Sequence, residues 1–256
     1  MGIFAYKTDP LGFINRFKAR LVAVGCSQVK NHDYVETYSP VIKIKAVRFM
    51  LALSAMFGMH VEQLDIDTAY LYGNLKIANY MKLPQGFEEY DENGDELAAK
   101  LIKSLYGLHR SGREWYETIG DYLLHEMTFR QTVSDPCLFI KIDETTGQLV
   151  LVLIYVDDIM ICSPSRDAIR AVRDKIRERF LTRNERDAEW ILKIQIERTS
   201  LGIWIGRNFT PQLCLKSSAN GTSQSLSGRI RRWLAAGNTT TTVLCCQRRK
   251  NRAIAH

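Results

Sequence analysis

Residues 149–162 read LVLVLIYVDDIMIC. Two runs rich in Val, Ile and Leu predict adjacent β-strands, with the polar pair Asp157-Asp158 between them. A hairpin would carry both carboxylates at its tip, where they cost free energy unless a positive charge meets them. Because Asp is also a good turn residue, a tight turn without a metal ion is the alternative interpretation.

A second segment, residues 61–70, supplies further carboxylates in the sequence VEQLDIDTAY. In a strand, Gln63, Asp65 and Asp67 fall on one face, because successive side chains alternate. An Asp at a strand end could simply cap the following turn. Together with the Asp157-Asp158 hairpin, however, Asp65 suggests two strands that present carboxylates to a shared cation site.

Four blocks of the sequence, in this order, carry a family resemblance. They are FKARLVA (17–23), QLDIDTAYLYG (63–73), SLYGL (104–108) and YVDD (155–158). The blocks resemble those of copia-type retrotransposon reverse transcriptases, and the resemblance covers roughly residues 4–205. It implies an α+β fold: a palm made of a ferredoxin-like antiparallel sheet with helices, plus partial fingers, with the thumb largely missing.

The resemblance also implies an activity and its catalytic residues. The family copies RNA into DNA, so the expected reaction joins a deoxynucleoside triphosphate to a primer 3′-hydroxyl. Two Mg²⁺ ions, with Mn²⁺ as a substitute, would be held mainly by Asp65 and Asp157, with Asp158 as the accessory carboxylate. Two such ions about 3.5–4 Å apart clamp the attacking and leaving oxygens of an in-line displacement. Tyr155 of the same block is a candidate substrate-binding residue.

The N-terminal segment predicts a basic hairpin. Residues 3–8 and 14–24 have strand character, and the turn signal of residues 9–12 (DPLG) lies between them. Alternation brings Arg16, Lys18 and Arg20 to one face, which without the family would be read as an ordinary solvated face. With the family, the hairpin is the fingers element over the template and the triphosphate, and Lys18 and Arg20 are the expected phosphate contacts.

Residues 106–115 (YGLHRSGREW) lead into a predicted helix. Ser111 and Glu114 have capping-box spacing, which predicts that the helix begins at Gly112. Gly107 permits close backbone approach, and in the family this turn packs under the templating base and the incoming nucleotide. The family commonly has Lys-Gln where this chain has His109-Arg110, and Arg110 keeps a positive charge for template contact.

Tyr70 has two interpretations. Aromatic side chains usually fill a core, and Tyr70 follows the Asp65 strand closely enough to do so. In related reverse transcriptases the matching aromatic residue lies beneath the sugar and excludes a 2′-hydroxyl, which discriminates against ribonucleotides.

Three further segments have clear periodicity or composition. Residues 44–59 predict a buried helix that Gly58 helps to stop. Ser165 is a predicted helix N-cap before an apolar stripe that includes Ile169 and Ile176. Residues 190–198 and 201–205 predict two strands of a hairpin, which the resemblance would lead toward the thumb.

The charge distribution divides the chain. The net charge is +7, yet residues 206–256 hold nine Lys and Arg and no Asp or Glu, whereas residues 1–205 hold 26 basic and 28 acidic groups. We therefore predict a fingers and palm core at 1–205 and a basic, disordered tail at 206–256. A frameshift near Gly206 is the preferred origin of the tail, and a nucleic-acid-binding arm is the rival.

Composition limits the class of protein and its partners. Six scattered cysteines without metal-ligand spacing favour a reduced, intracellular protein, cytoplasmic (in a virus-like particle) or nuclear, and no signal or membrane span is evident. The expected partners are an RNA or DNA template with primer, deoxynucleoside triphosphates and no membrane. Thumb and ribonuclease H would have to come from elsewhere, and the oligomeric state is open.

The sequence is also compatible with two other functions. One is a non-catalytic retrotransposon remnant with at most weak nucleic-acid binding. The other is a different two-metal enzyme on a related palm, such as a nucleotide cyclase, which the block at residues 17–23 and the Tyr106-Gly107 block disfavour.

Overall fold

The computed structural model of the chain describes residues 1–9, 11–192, 194–199, 202–207 and 210–216. A six-stranded antiparallel sheet holds the centre of the described part. Numbered along the chain, its strands are β3 (His60–Ile66), β6 (Arg130–Gln131), β7 (Leu138–Ile142), β8 (Leu149–Tyr155), β9 (Asp158–Ser163) and β10 (Thr182–Asp187). They lie side by side in the order β10-β3-β9-β8-β7-β6, so β3 and β9 are neighbours although they are far apart in sequence.

Three α-helices cover this sheet: α1 (Ile44–Met56), α2 (Ser111–Asp121) and α3 (Arg166–Arg179). A π-helical turn, Tyr122–Glu126, extends α2. Side chains of α2 and α3 share one buried cluster with the sheet, and α1 contacts β9. Within the described part of the chain, no helix combines the length and the apolar character that crossing a lipid bilayer requires.

The remaining strands form three smaller sheets. Two are hairpins, β1 (Gly2–Thr8) with β2 (Ile14–Leu21) and β4 (Asn74–Lys82) with β5 (Ala98–Lys103). The third is a meander of β11 (Trp190–Ile191), β12 (Ile194–Thr199), β13 (Gly202–Arg207) and β14 (Thr210–Lys216). Short 3-10 turns occur at Gly25–Ser27 and Ala69–Tyr72. This mixture of helices and antiparallel sheets is an α+β fold, as the sequence predicts.

One predicted helix boundary is confirmed, and another is shifted by three residues. The side chain of Ser165 accepts a hydrogen bond from the backbone N–H of Ala168 at 3.2 Å, which confirms it as the N-cap of α3. Helix α1 ends at Met56, three residues before the predicted end at 59, because Gly58 has φ +60°. The N–H of Met59 then reaches back to the carbonyl of Ser54 at 2.8 Å and closes the last turn.

The capping box predicted for α2 is wrong. The helix begins at Ser111 rather than Gly112, and Ser111 Oγ donates to the carbonyl of Leu105 instead of accepting from the helix. The Glu114 carboxylate pairs with the Arg110 guanidinium. An ion pair one helical turn apart is the competing use of a first-turn Glu, and here it prevails over the cap.

The predicted hairpin near the N-terminus is confirmed, although β2 ends at Leu21 rather than at residue 24. Asp9 Oδ1 accepts hydrogen bonds from the backbone N–H groups of Leu11 and Phe13, both at 2.9 Å, which explains the turn. At the base of the hairpin, one residue beyond each strand, the backbone N–H of Val22 donates a hydrogen bond to the carbonyl of Met1.

The predicted boundary after Ile205 falls inside β13. Strand β14 follows and pairs with β13, so the regular structure reaches Lys216. Residues 217–256, on which most of the tail prediction falls, lie outside the described residues, and the division into core and tail stays a prediction.

Candidate active site

The carboxylates of the two predicted segments meet at one end of the central sheet. Asp65, near the end of β3, lies directly opposite Asp158, the first residue of β9, in the antiparallel register. Val156 and Asp157 form the turn between β8 and β9. The backbone N–H of Ile66 donates to the carbonyl of Asp157 at 2.8 Å, so the end of β3 also binds the turn. The structure thus brings Asp65, Asp157 and Asp158 together.

Strand alternation determines the face on which this group lies. Leu64 and Ile66 of β3 and Ile159 and Ile161 of β9 belong to the buried cluster that contains α2 and α3. Residues between them point to the opposite face. Asp65 and Asp158 therefore occupy the sheet face away from α2 and α3.

The electrostatics of the group centre on Asp65. Burial raises the pKa of the Asp65 carboxyl, and the negative charges of Asp157 and Asp67 raise it further. Arg183 and Lys7 act in the opposite direction but do not reverse the shift. Desolvated carboxylates that repel each other favour a cation between them.

Two of the four nearby carboxylates already have partners. The side-chain amide of Gln63 donates to Asp158 Oδ1 at 2.8 Å, and Arg183 Nη2 forms an ion pair with Asp67 Oδ2. No hydrogen bond or ion pair joins the carboxylates of Asp65 or Asp157 to another described residue. These two are therefore the pair that is free to accept an external cation.

The donor set fits a hard divalent ion, within limits. Mg²⁺ takes oxygen ligands and is commonly bound by one or two carboxylates plus substrate phosphates. Among the described residues, no group of three or more His, Cys, Asp or Glu side chains is arranged to hold a metal ion by itself. A site made of Asp65 and Asp157 therefore needs oxygens from a bound substrate to complete the coordination.

Two lysines of the basic face of the β1–β2 hairpin interact electrostatically with these carboxylates, Lys18 with Asp157 and Lys7 with Asp65. The pKa of Lys18 is lowered by burial first, and then by the positive charges of Arg20, Lys7 and Arg16, while Asp157 opposes the shift. Arg20 stacks over the ring of Tyr106 with 5.2 Å between its Cζ and the ring centroid. The predicted phosphate contacts Lys18 and Arg20 thus belong to a cluster of positive charge beside the acidic pair.

Tyr70 lies between the core and the candidate site. Its ring packs against the buried cluster and meets Tyr106 edge-on, with 5.1 Å between ring centroids and 61° between planes. Burial raises the pKa of the Tyr70 hydroxyl, and Asp157, Tyr106 and Tyr155 add to the shift. The two interpretations of Tyr70 are therefore compatible, because one edge fills the core and the site carboxylate is close by.

Gly107 adopts a positive φ and packs closely against the backbone of Ala23. Its φ is +93°, and a Cβ at this position would lie 2.1 Å from the carbonyl oxygen of Ala23. The N–H of Ala23 donates to the carbonyl of Tyr106 at 2.7 Å. A Cβ on Gly25 would in turn lie 2.0 Å from the Gly107 oxygen. The close approach expected for Gly107 joins the base of the β1–β2 hairpin to the Tyr106 turn.

Arg110 is placed differently from the carboxylate group. Its Nε lies 2.9 Å from Glu114 Oε1, and the two side chains are only 13% and 2% exposed. Burial raises the pKa of Glu114, which Arg110 partly offsets. The charge of Arg110 is thus balanced within the protein, and its assigned template contact stays a prediction.

Sequence reasoning missed several residues that contribute to the site. Lys7 could have been found, because pairing β1 with β2 places it opposite Arg16 on the basic face. Gln63 was identified as a residue of the same face, but not as the donor to Asp158. No local sequence pattern predicts the role of Arg183, which lies on β10 and forms an ion pair with Asp67.

Both carboxylate segments contain a β-branched residue in the left-handed region. Val156, before Asp157, and Thr68, after Asp67, each have φ +54°. This conformation is a genuine outlier for β-branched side chains. Such residues concentrate at functional sites, where the surroundings hold them in place.

The sequence of this chain is similar to those of known proteins. The sequence model of the family described as reverse transcriptase (RNA-dependent DNA polymerase) matches residues 2–218. That range includes every residue of the candidate site.

Curated relatives carry the same segment within much longer proteins. A retrovirus-related Pol polyprotein from transposon TNT 1-94 of Nicotiana tabacum is 36% identical over 207 residues, which are 80% of this chain and 15% of that protein. The Pol polyprotein from transposon RE1 of Arabidopsis thaliana is 35% identical over 80% of this chain and 14% of its own length. The Ty1-BL Gag-Pol polyprotein of Saccharomyces cerevisiae is 30% identical over 72% of this chain and 10% of its own length.

The chain therefore spans about 15% of the length of the first of these relatives. No solved structure shows significant similarity to it.

Proposed function

Since the chain belongs to the reverse transcriptase (RNA-dependent DNA polymerase) family, we propose that it is the catalytic core of a copia-type retrotransposon polymerase. It extends a DNA primer on an RNA or DNA template by joining deoxynucleoside triphosphates to the primer 3′-hydroxyl. One observation carries the proposal. Asp65, in β3, and Asp157, in the turn between β8 and β9, lie together at the sheet end, and no hydrogen bond or ion pair joins their carboxylates to another described residue.

The carboxylates have divided roles in this proposal. Asp65 and Asp157 would hold two Mg²⁺ ions together with the triphosphate, and Asp158, which accepts a hydrogen bond from Gln63, would assist. Bound there, such ions would supply activation of the primer hydroxyl and neutralisation of charge on the leaving pyrophosphate. The protein itself supplies alignment and a preorganised field rather than covalent chemistry.

The hairpin supplies the opposite charge. Lys18 and Arg20 bind the phosphates of the incoming nucleotide, since both belong to the positively charged face near Asp157. Stacking on Tyr106 limits the rotamers of Arg20, so less side-chain entropy is lost when a phosphate binds. The loss of the positive charge at either position should weaken nucleotide binding more than the chemical step.

Sugar selection is assigned to Tyr70. Its ring is fixed by the core on one side and by Tyr106 on the other, so it can exclude a 2′-hydroxyl without moving. Tyr155 is next to the turn and contributes to the environment of Tyr70. We assign it, with Gly107 and Arg110, to the surface that the template and nucleotide contact.

Primer extension tests the proposal directly. The purified chain and its Asp157→Asn variant are compared on a poly(rA)–oligo(dT) template with Mg²⁺, and the fold of both is checked by circular dichroism. Asp167→Asn is the matched control, because Asp167 is an exposed aspartate of α3 whose side chain forms an ion pair with Arg170. We expect extension by the chain and the control, and none by Asp157→Asn.

The outcomes separate the two candidate functions. Extension that survives in Asp157→Asn would contradict the assignment of the carboxylate site. A folded chain that extends no primer in any variant would instead favour the non-catalytic remnant. Binding of labelled primer–template by the same preparations then measures whether any nucleic-acid affinity remains.

A further inference from the structure

The turn that carries Asp157 contains a backbone conformation that its sequence disfavours. Val156 is the first turn residue between β8 and β9 and has φ +54°. Two-residue hairpin turns that need a positive φ at this position normally use glycine, asparagine or aspartate rather than a β-branched residue. For a β-branched residue the left-handed conformation is strained, because its Cβ comes too close to the following carbonyl oxygen. Something else in the fold must hold Val156 in this conformation.

The indole of Trp115 provides that restraint. Its Nε1–H, the one polar group of the side chain, donates to the carbonyl oxygen of Val156 at 2.5 Å. Trp115 is only 1% exposed. Its ring stands edge-on to Phe180, with 5.3 Å between centroids, and also packs beside Tyr72. The donor is therefore held rigidly by the core behind the sheet.

A second hydrogen bond holds the neighbouring carbonyl of the turn. Ile66 N donates to Asp157 O at 2.8 Å. The backbone between Val156 and Asp157 is thus bound from α2 on one side and from β3 on the other. Loss of the indole donor would allow Val156 to relax to a negative φ, which reorients the following peptide and the side chain of Asp157.

We propose that Trp115 is a positioning residue for Asp157, acting through the carbonyl of Val156. Its indole N–H keeps the turn in the conformation that directs the Asp157 carboxylate toward Asp65. The inference rests on the proposed function, in which Asp157 is a metal ligand. This role of Trp115 could not be predicted from the apolar pattern of α2 or from the spacing of the carboxylates.

Trp115→Phe is the first test variant, because it keeps an aromatic ring against Phe180 and removes the N–H. The matched control is Trp204→Phe, which also deletes an indole hydrogen bond, here the 3.2 Å bond to Thr199 Oγ1 in the separate meander. The double variant Trp115→Phe with Val156→Gly tests the mechanism. Glycine adopts positive φ without strain, so the turn no longer needs the indole.

Hydrogen exchange of the Ile66 amide gives a measurement that needs neither metal nor activity. This amide is bonded to the Asp157 carbonyl and reports the turn conformation. We expect it to exchange about tenfold faster in Trp115→Phe, as the loss of one hydrogen bond would predict. Its exchange should be unchanged in Trp204→Phe and largely restored in the double variant.

Mn²⁺ binding, followed by electron paramagnetic resonance, and steady-state kinetics complete the test. We expect Trp115→Phe to bind Mn²⁺ about tenfold more weakly and to lose about tenfold in kcat, with the KM for primer–template unchanged. The double variant should regain most of both losses.

Wild-type Ile66 exchange in Trp115→Phe would overturn the proposal, and so would equal losses in Trp115→Phe and the double variant, which would indicate packing alone. Failure of the proposed function is distinguishable, because an inactive wild-type chain would leave the hydrogen-exchange pattern fully informative about the positioning role.

Discussion

The central sheet and the β1–β2 hairpin carry opposite charges of the candidate active site, and they are built in different ways. Strand β8 is buried over Leu149–Ile154, whereas every residue of β1 is exposed. An isolated two-stranded hairpin is at best marginally stable in water. The carboxylates therefore lie on a rigid framework, while the cations lie on an element whose position depends on a few contacts at its base.

Those base contacts are specific. Gly25 and Gly107 each leave no room for a Cβ, and Ala23 donates a hydrogen bond to the Tyr106 carbonyl. Arg20 adds its stacking contact on Tyr106. The acidic half of the site is thus fixed by burial in the central sheet. The cationic half is fixed by these close contacts at the base of the β1–β2 hairpin, which we call the joint. If a triphosphate binds as proposed, such a joint would allow the cationic half to adjust to it.

The largest expected effect comes from core truncation. Leu153 in β8 is 0% exposed, whereas Phe17 in β2 is 80% exposed. We expect Leu153→Ala to lower the free energy of unfolding by about 4 kcal/mol, because it leaves a cavity. Phe17→Ala should change it by about 0.5 kcal/mol or less. Urea denaturation measures both, and a large loss in Phe17→Ala would show that the hairpin is part of the stable framework.

The joint itself is tested by Gly107→Ala. A Cβ there meets the Ala23 carbonyl and must also adopt φ +93°, so we expect a loss of about 3 kcal/mol in the free energy of unfolding. Gly58→Ala is the control, because its φ is +60° but nothing lies within 4 Å of the added Cβ. It should lose only about 1 kcal/mol. Equal losses would mean that the close approach to Ala23 is unimportant.

Nucleotide binding should distinguish the cations of the hairpin. Arg20 stacks on Tyr106, whereas Arg16 lies farther from the joint on the same strand and is exposed. We expect Arg20→Ala to raise the KM for the nucleotide about tenfold, equivalent to about 1.4 kcal/mol. Arg16→Ala should raise it about twofold or less. Steady-state primer extension provides both values, and the reverse order would reject the assignment of Arg20.

The smallest effect concerns the carboxylates without a bound ion. The pKa of Asp65 is raised in the folded state by burial and by Asp157 and Asp67. The folded state therefore holds this proton more tightly than the unfolded chain, so ionisation destabilises the fold as pH rises through the folded pKa. Asp65→Asn removes that penalty and should slightly raise the free energy of unfolding at pH 8.

The pH dependence is the control within this experiment. The difference between Asp65→Asn and the wild-type chain should shrink toward zero as the pH falls below about 4, the ordinary pKa of Asp. Thermal denaturation in a chelating buffer, with Asp167→Asn alongside, measures it. A variant that is less stable than wild type at pH 8 would contradict the assigned repulsion.

Local signals in the sequence predicted much of this arrangement. The apolar runs around Tyr155 to Asp158 predicted the β8–β9 hairpin, alternation predicted the basic face with Lys18, and Ser165 announced the start of α3. Each signal depends on neighbours within a few residues, where the periods of strands and helices apply.

The missed features are contacts between distant parts of the chain. Trp115 fits an apolar helical stripe equally well whether or not its N–H binds the Val156 carbonyl. Glu114 was assigned to a cap because Ser111 has the right spacing, yet Arg110 lies four residues before it and prevails. Such side-chain hydrogen bonds and ion pairs leave no periodic pattern in the sequence. Only the folded structure therefore shows which donor meets which acceptor.

During ribosomal synthesis, β3 is made long before β9 and β10, its two neighbours in the sheet. Strands β8 and β9 are joined by a two-residue turn and can pair soon after they emerge, whereas β3 must close a long loop to reach β9. Until β9 and β10 have been made, both edges of β3 are without their strands, and such edges invite aggregation. Asp65 and Asp157 therefore meet late, so that a chain interrupted before residue 157 carries no acidic pair at all.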